Sequence, residues 1–95
     1  MKTVHKYDIP LDGHTTIVSM PEGAQILYVA CQKDEATVQI WALVDLGGKH
    51  EMRSFVTVGT GQPAPPWLTS ADYHGTVLLR QGTLVLHIFS YLRGG

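Results

Sequence analysis

Cysteine and charge are both scarce in this chain of 95 residues, and each scarcity excludes a class of protein. Cys31 is the only cysteine, so no internal disulfide forms and no Cys-rich metal knuckle can be assembled. Its setting in Ile26-Leu27-Tyr28-Val29-Ala30-Cys31 is apolar and lacks a basic neighbour, which marks a packed, inert thiol rather than a nucleophile. Charged residues make up 16%, seven Lys+Arg against eight Asp+Glu, for a formal net charge of −1. Coating DNA or RNA needs clustered cations that displace counterions from phosphates, and no such cluster occurs. No run approaches the ~20 apolar residues of a membrane-spanning helix. A secretory leader is not expected either, because His5, Lys6 and Asp8 interrupt the segment after Met1. The expected location is the cytoplasm.

Catalytic and metal-binding patterns are missing as well. His5, His14, His50, His74 and His87 show neither HxH nor HxxxH spacing. Ser19, Ser54, Ser70 and Ser90 lie outside any Gly-x-Ser-x-Gly turn, and no paired carboxylates stand ready for acid–base work. No cofactor is implied. The reading is of a non-enzyme, with a hydrolase of unfamiliar geometry as the alternative.

What is present is period-two alternation rich in β-branched residues. Between Thr37 and Asp45, residues Val38, Ile40, Ala42 and Val44 share one face and Trp41 and Leu43 the other. From His50 to Val58 the apolar set is Met52, Val56 and Val58, with Glu51, Arg53 and Thr57 directed away. Leu84, Leu86 and Ile88 oppose Val85, His87 and Phe89, so the last strand is apolar on both faces and needs cover on both. Turn chemistry separates these runs. Asp12-Gly13 predicts a tight hairpin between 2–9 and 14–20. Pro21-Glu22-Gly23, Lys33-Asp34-Glu35, Gly47-Gly48 and Gln81-Gly82 predict further reversals, and Asp45 reads as a turn cap. Residues 59–66 carry three of the five prolines and predict a surface loop, with one short helical turn from Pro66 to Asp72. The fold class is therefore all-β: one domain over residues 1–95, a small sandwich or partly open barrel of roughly seven strands. Arg93-Gly94-Gly95 reads as a flexible tail.

The loop holds the most suggestive residues. Gly59-Thr60-Gly61 exposes backbone N–H groups that can cradle an anion, though the same glycines also serve as a simple bend. A Walker loop is excluded because Gln62-Pro63 stands where Lys-Ser/Thr would be required. Trp67 joins no apolar stripe. With Trp41, the tyrosines, Arg53 and Arg80, it could build a base-stacking, phosphate-pairing pocket, or equally the anchor of a protein interface.

Across most of its length the chain resembles a family of small, mostly uncharacterised proteins encoded by bacteriophages and prophages. The resemblance runs through Val4-His5-Lys6-Tyr7, Met20-Pro21-Glu22-Gly23-Ala24, Trp41-Ala42-Leu43-Val44-Asp45, Phe55, Val58-Gly59-Thr60-Gly61 and Pro63, His74-Gly75-Thr76, and Leu86-His87-Ile88-Phe89. The proline-rich stretch after Gly61 and the tail after Phe89 depart from it. The resemblance implies an accessory gene product acting in the infected host cell, and it brings no catalytic residues. The first expectation is a counter-defence protein that sequesters a nucleotide-type immune signal. Gly59, Thr60 and Gly61 with Arg53 or Arg80 would hold phosphate, and Trp67 or Tyr73 would stack on the base, in a homo-oligomer whose subunits cover each other's apolar strands. The alternatives are an anti-CRISPR-like inhibitor that contacts a host defence protein through Pro65, Pro66, Trp67 and Leu68, a minor virion or assembly protein, and an enzyme degrading the same signals.

Overall fold

The alternation builds seven strands, seen in a computed structural model that describes residues 1–92: β1 (Lys2–Pro10), β2 (Thr16–Pro21), β3 (Gln25–Ala30), β4 (Thr37–Asp45), β5 (His50–Gly59), β6 (Asp72–Leu79) and β7 (Leu84–Leu92). They form two antiparallel sheets, β1-β4-β3 and β2-β5-β7-β6. The fold is thus all-β, two packed antiparallel sheets that do not close into a barrel. The Arg93–Gly95 tail lies outside the described residues.

The core lies between the sheets, as the alternation of β4 requires. Val38, Ile40, Ala42 and Val44 are all buried, and they meet Met20, Phe55, Val77 and Ile88 from the second sheet. Lys33-Asp34-Glu35 turns β3 into β4, and Arg80–Gly82 turns β6 into β7, as expected. Asp45 caps its turn by accepting the Gly47 N–H at 3.2 Å.

Two expectations are corrected. Asp12-Gly13 does not close a hairpin: β1 pairs with β4 in the first sheet and β2 with β5 in the second, so this turn carries the chain across the sandwich. A tight turn constrains only its own residues, and partner choice is left to packing. The faces of β5 are also inverted. Phe55 points into the core at 1% exposure, opposite the buried Ser90, and Met52 is exposed. Arg53 and Glu51 accordingly face the space between the sheets.

The inversion has a structural cause. β5 and β6 both run antiparallel to β7, which lies between them, so the connection 60–71 must cross β7 to reach the far end of the sheet. It crosses on the outer face, and its 3-10 turn Pro66–Ser70 sets Trp67 edge-on against Tyr91 with ring centroids 5.0 Å apart. Val56 and Val58, paired with Phe89 and His87, belong to this strap-covered face. β7 is apolar on both sides because both sides are covered. The chain's own strap supplies part of the cover over the outer face of β7.

Candidate functional site

The residues picked from the sequence are spread out: Arg53 on the inner side of the second sheet, Trp67 and Tyr73 on its outer side, Arg80 at the tip of the β6–β7 hairpin and Trp41 on the first sheet. Arg53 turns inward, where its side chain is 12% exposed. Its Nη1 donates to the Ala24 carbonyl at 3.1 Å, and Nη2 lies 3.8 Å from Glu51 Oε2. Glu51 Oε1 in turn accepts the Gly23 N–H at 2.8 Å. The two side chains brace the turn that carries β2 into β3. A buried guanidinium held this way is structural, and it does not reach the outer face.

The Gly59–Gly61 turn does not present the row of free amides that an anion cradle needs. The Gly59 N–H donates to Gln62 Oε1 at 3.2 Å and the Thr60 N–H to the Val85 carbonyl at 3.1 Å. Gln62, which displaced the Walker lysine in sequence, fills the concavity itself. Arg80 sits at the tip of the β6–β7 hairpin with positive φ, its N–H donating to Glu35 Oε1 at 2.6 Å. A carboxylate at that tip opposes anion capture. Arg53 therefore does not join Gly59, Thr60 and Gly61 in one phosphate site, and the Gly59 and Thr60 amides are already engaged within the chain. Trp41 and Trp67 are separated too. Trp41 stands beside Tyr28 on the outer face of the first sheet, with centroids 6.0 Å apart.

What does converge is aromatic. Trp67 packs on Tyr91, and Tyr73 packs on Phe89 with centroids 5.5 Å apart, all on the outer face of the second sheet. Trp67 is 43% exposed and Tyr73 58%. The strap leaves two shallow apolar depressions here. One of about 290 Å³ is lined by Trp67, Ser70, Ala71 and Tyr91; the other, of about 450 Å³, lies among Pro65, Pro66, Leu68 and Phe89. Phe89 and Tyr91 were legible only as strand residues, because nothing in their spacing says which face a loop will cross.

A hydrogen-bonded chain pins the strap beside this surface. Thr60 Oγ1 lies 2.7 Å from His87 Nε2, His87 Nδ1 lies 2.9 Å from Thr76 Oγ1, and Thr76 Oγ1 lies 2.6 Å from the Tyr73 hydroxyl. His87 thus has a partner for each ring nitrogen, on the outer face of the sheet. His74 occupies a bulge in β6, points inward beside Phe55, and shares a 2.5 Å hydrogen bond with Ser90. Burial lowers its pKa, helped by the nearby Arg53 cation and opposed by Asp72. Cys31, half-buried after β3, has its thiol pushed up by burial and by Asp34 and Glu35, which keeps it protonated. Among the described residues, no group of three or more His, Cys, Asp or Glu side chains could hold a metal ion, and no helix is long and apolar enough to cross a membrane.

The surface can therefore offer flat apolar rings, a few hydroxyls and one indole N–H. Stacking and shape complementarity lie within the means of these described residues. No curated protein and no solved structure matches the chain. The model of the family described as "Domain of unknown function (DUF7352)" matches residues 1–93, and the chain belongs to that family.

Proposed function

We propose that this chain is a non-catalytic binding module that engages a partner protein through the aromatic outer face of its second sheet. One observation carries the reading: Trp67, Tyr73, Phe89 and Tyr91 gather on one face under the proline strap, while Arg53 is turned into the sandwich. Exposed Trp and Tyr in apolar depressions are the residues that dominate protein interfaces. A nucleotide-type signal would need cations at the stacking rings, and among the described residues the inward-turned Arg53 supplies none there. The resemblance to phage-encoded proteins makes a host defence protein the partner class of first choice, which is the inhibitor alternative drawn from the sequence.

The test compares two faces. Wild type, Trp67→Ser and Tyr28→Ser are immobilised and exposed to host lysate, and calorimetry follows with a panel of cyclic dinucleotides and cyclic ADP-ribose. The reading expects a partner retained by wild type and by Tyr28→Ser, lost at least about tenfold with Trp67→Ser, and no heat from the nucleotides. Equal capture by Trp67→Ser, or saturable nucleotide binding, refutes it.

A further inference from the structure

Of the strands at sheet edges, β1 leaves the longest regular edge without a neighbour. β3 and β6 carry bulges, between Ile26 and Tyr28 and between Tyr73 and Gly75, and they lie against each other across the sandwich. β2 is six residues long and ends in Pro21. β1 runs for nine residues in unbroken register with β4. In an antiparallel pair, alternate residues turn their main-chain groups toward the neighbouring strand. At the two ends of β1, the Leu46 N–H donates to the Met1 carbonyl at 2.9 Å and the Leu11 N–H to the Ala36 carbonyl at 2.8 Å. Odd residues therefore bond to β4, and Lys2, Val4, Lys6 and Asp8 turn their N–H and C=O groups outward. Among the described residues, none takes up these outward groups. Pro10, the next even position, has no N–H to leave unpaired, and this is where an edge strand accepts proline.

We infer that β1 is the seam of a two-fold dimer, in which β1 of a second copy pairs with it antiparallel and makes the two first sheets continuous. The residue pattern selects the register and the occupant together. A two-fold axis at His5 sets Lys2 opposite Asp8 of the second copy, twice by symmetry, and Val4 opposite Lys6. Every outward N–H then meets an outward carbonyl, and Pro10 falls outside the pairing. Other registers fail on specific residues. An axis at Lys6 opposes that cation to its own copy, and an axis at Val4 sets Lys2 against Lys6, both destabilising. An axis at Tyr7 places Pro10 opposite Val4 and forfeits a donor. Lysine and proline on an exposed edge ordinarily deter pairing; here they close the competing registers and leave one open. A foreign strand would have to reproduce this spacing of Lys and Asp, whereas a second copy supplies it by symmetry. His5 agrees with the assignment. It shares the inward side of β1 with the buried Ile9 and is nevertheless exposed, so the sandwich is open where the second copy would close it.

This seam lies on the first sheet and the aromatic face on the second, so its test is independent of the docking reading. Sedimentation velocity should show wild type passing from monomer to dimer between about 10 μM and about 1 mM, because one strand pair buries less than a standard interface. Val4→Pro removes an N–H that β4 does not use, so circular dichroism should be unchanged while association weakens at least about tenfold. A second pair of variants reads the register directly, in a Cys31→Ala background under copper-phenanthroline oxidation. His5→Cys should form a disulfide-linked dimer, since directly opposite residues of this kind stand about 4.5 Å apart at Cα, within disulfide reach. Lys6→Cys, which faces Val4 of the second copy, should not. Wild type that stays monomeric throughout, Val4→Pro that associates as wild type does, or Lys6→Cys that cross-links as readily as His5→Cys overturns the inference.

Discussion

Gly75 of β6 lies close against Val29 of β3, and replacing it with alanine tests the packing between the two sheets. β6 carries a bulge between Tyr73 and Gly75, which turns Gly75 toward β3. A Cβ at residue 75 would stand 2.5 Å from Val29 Cγ2, and the residue's φ is +156°. Unbonded carbons settle about 3.5–4.0 Å apart, so the overlap is at least about 1 Å. Val29 is buried and β-branched, so it cannot swing aside without leaving its rotamer. Overpacking of this kind costs about 1–3 kcal/mol, and a non-glycine residue in that backbone region roughly 1–3 more. Gly75→Ala should therefore lose about 3 kcal/mol, which lowers Tm by about 12–24 °C in a domain this small. Urea unfolding measures it, and a cycle with Val29→Ala separates the two costs. Removing the Val29 methyls should restore at least about 1 kcal/mol in the double variant relative to the sum of the singles. If the two changes add to within about 0.5 kcal/mol, Val29 does not make Gly75 necessary. A neutral Gly75→Ala would refute the close approach altogether.

His74, whose pKa is lowered by burial, should make stability depend on pH in a stated direction. Its folded pKa lies below its unfolded value of about 6.5, so its contribution is fully present above that pH and is lost as pH falls toward the folded value. Urea midpoints measured from pH 7.5 down to 5 should decline, and His74→Gln should flatten the decline; an unchanged slope would refute the assignment. Gln81 holds a left-handed conformation (φ 57°, ψ 36°) at the β6–β7 turn. A side chain there costs roughly 1–2 kcal/mol, part of which glycine gives back in unfolded-state entropy. Gln81→Gly should therefore raise stability by about 0.5–1 kcal/mol, and a lowered urea midpoint would contradict that.

The sequence by itself determined the strands, their number and most of their turns, because alternation and turn chemistry are local properties of the chain. Val38, Ile40, Ala42 and Val44 were readable as a core stripe because they alternate with a more polar and less deeply buried set, Thr37, Trp41, Leu43 and Asp45. The apolar character of β7 on both faces likewise announced a second layer over it. Three matters were left to tertiary structure. Alternation tells which residues of β5 share a face, but Val56 and Val58 look like core when a strap covers the outer side, so the inward face was misread and Arg53 with it. The Asp12-Gly13 turn could not say which strand β1 would join, because pairing is settled by the burial of whole faces. The meeting of Trp67 with Tyr91 depended on the path of residues 60–71 across β7, a path required by the strand order β2-β5-β7-β6 and written in no local pattern.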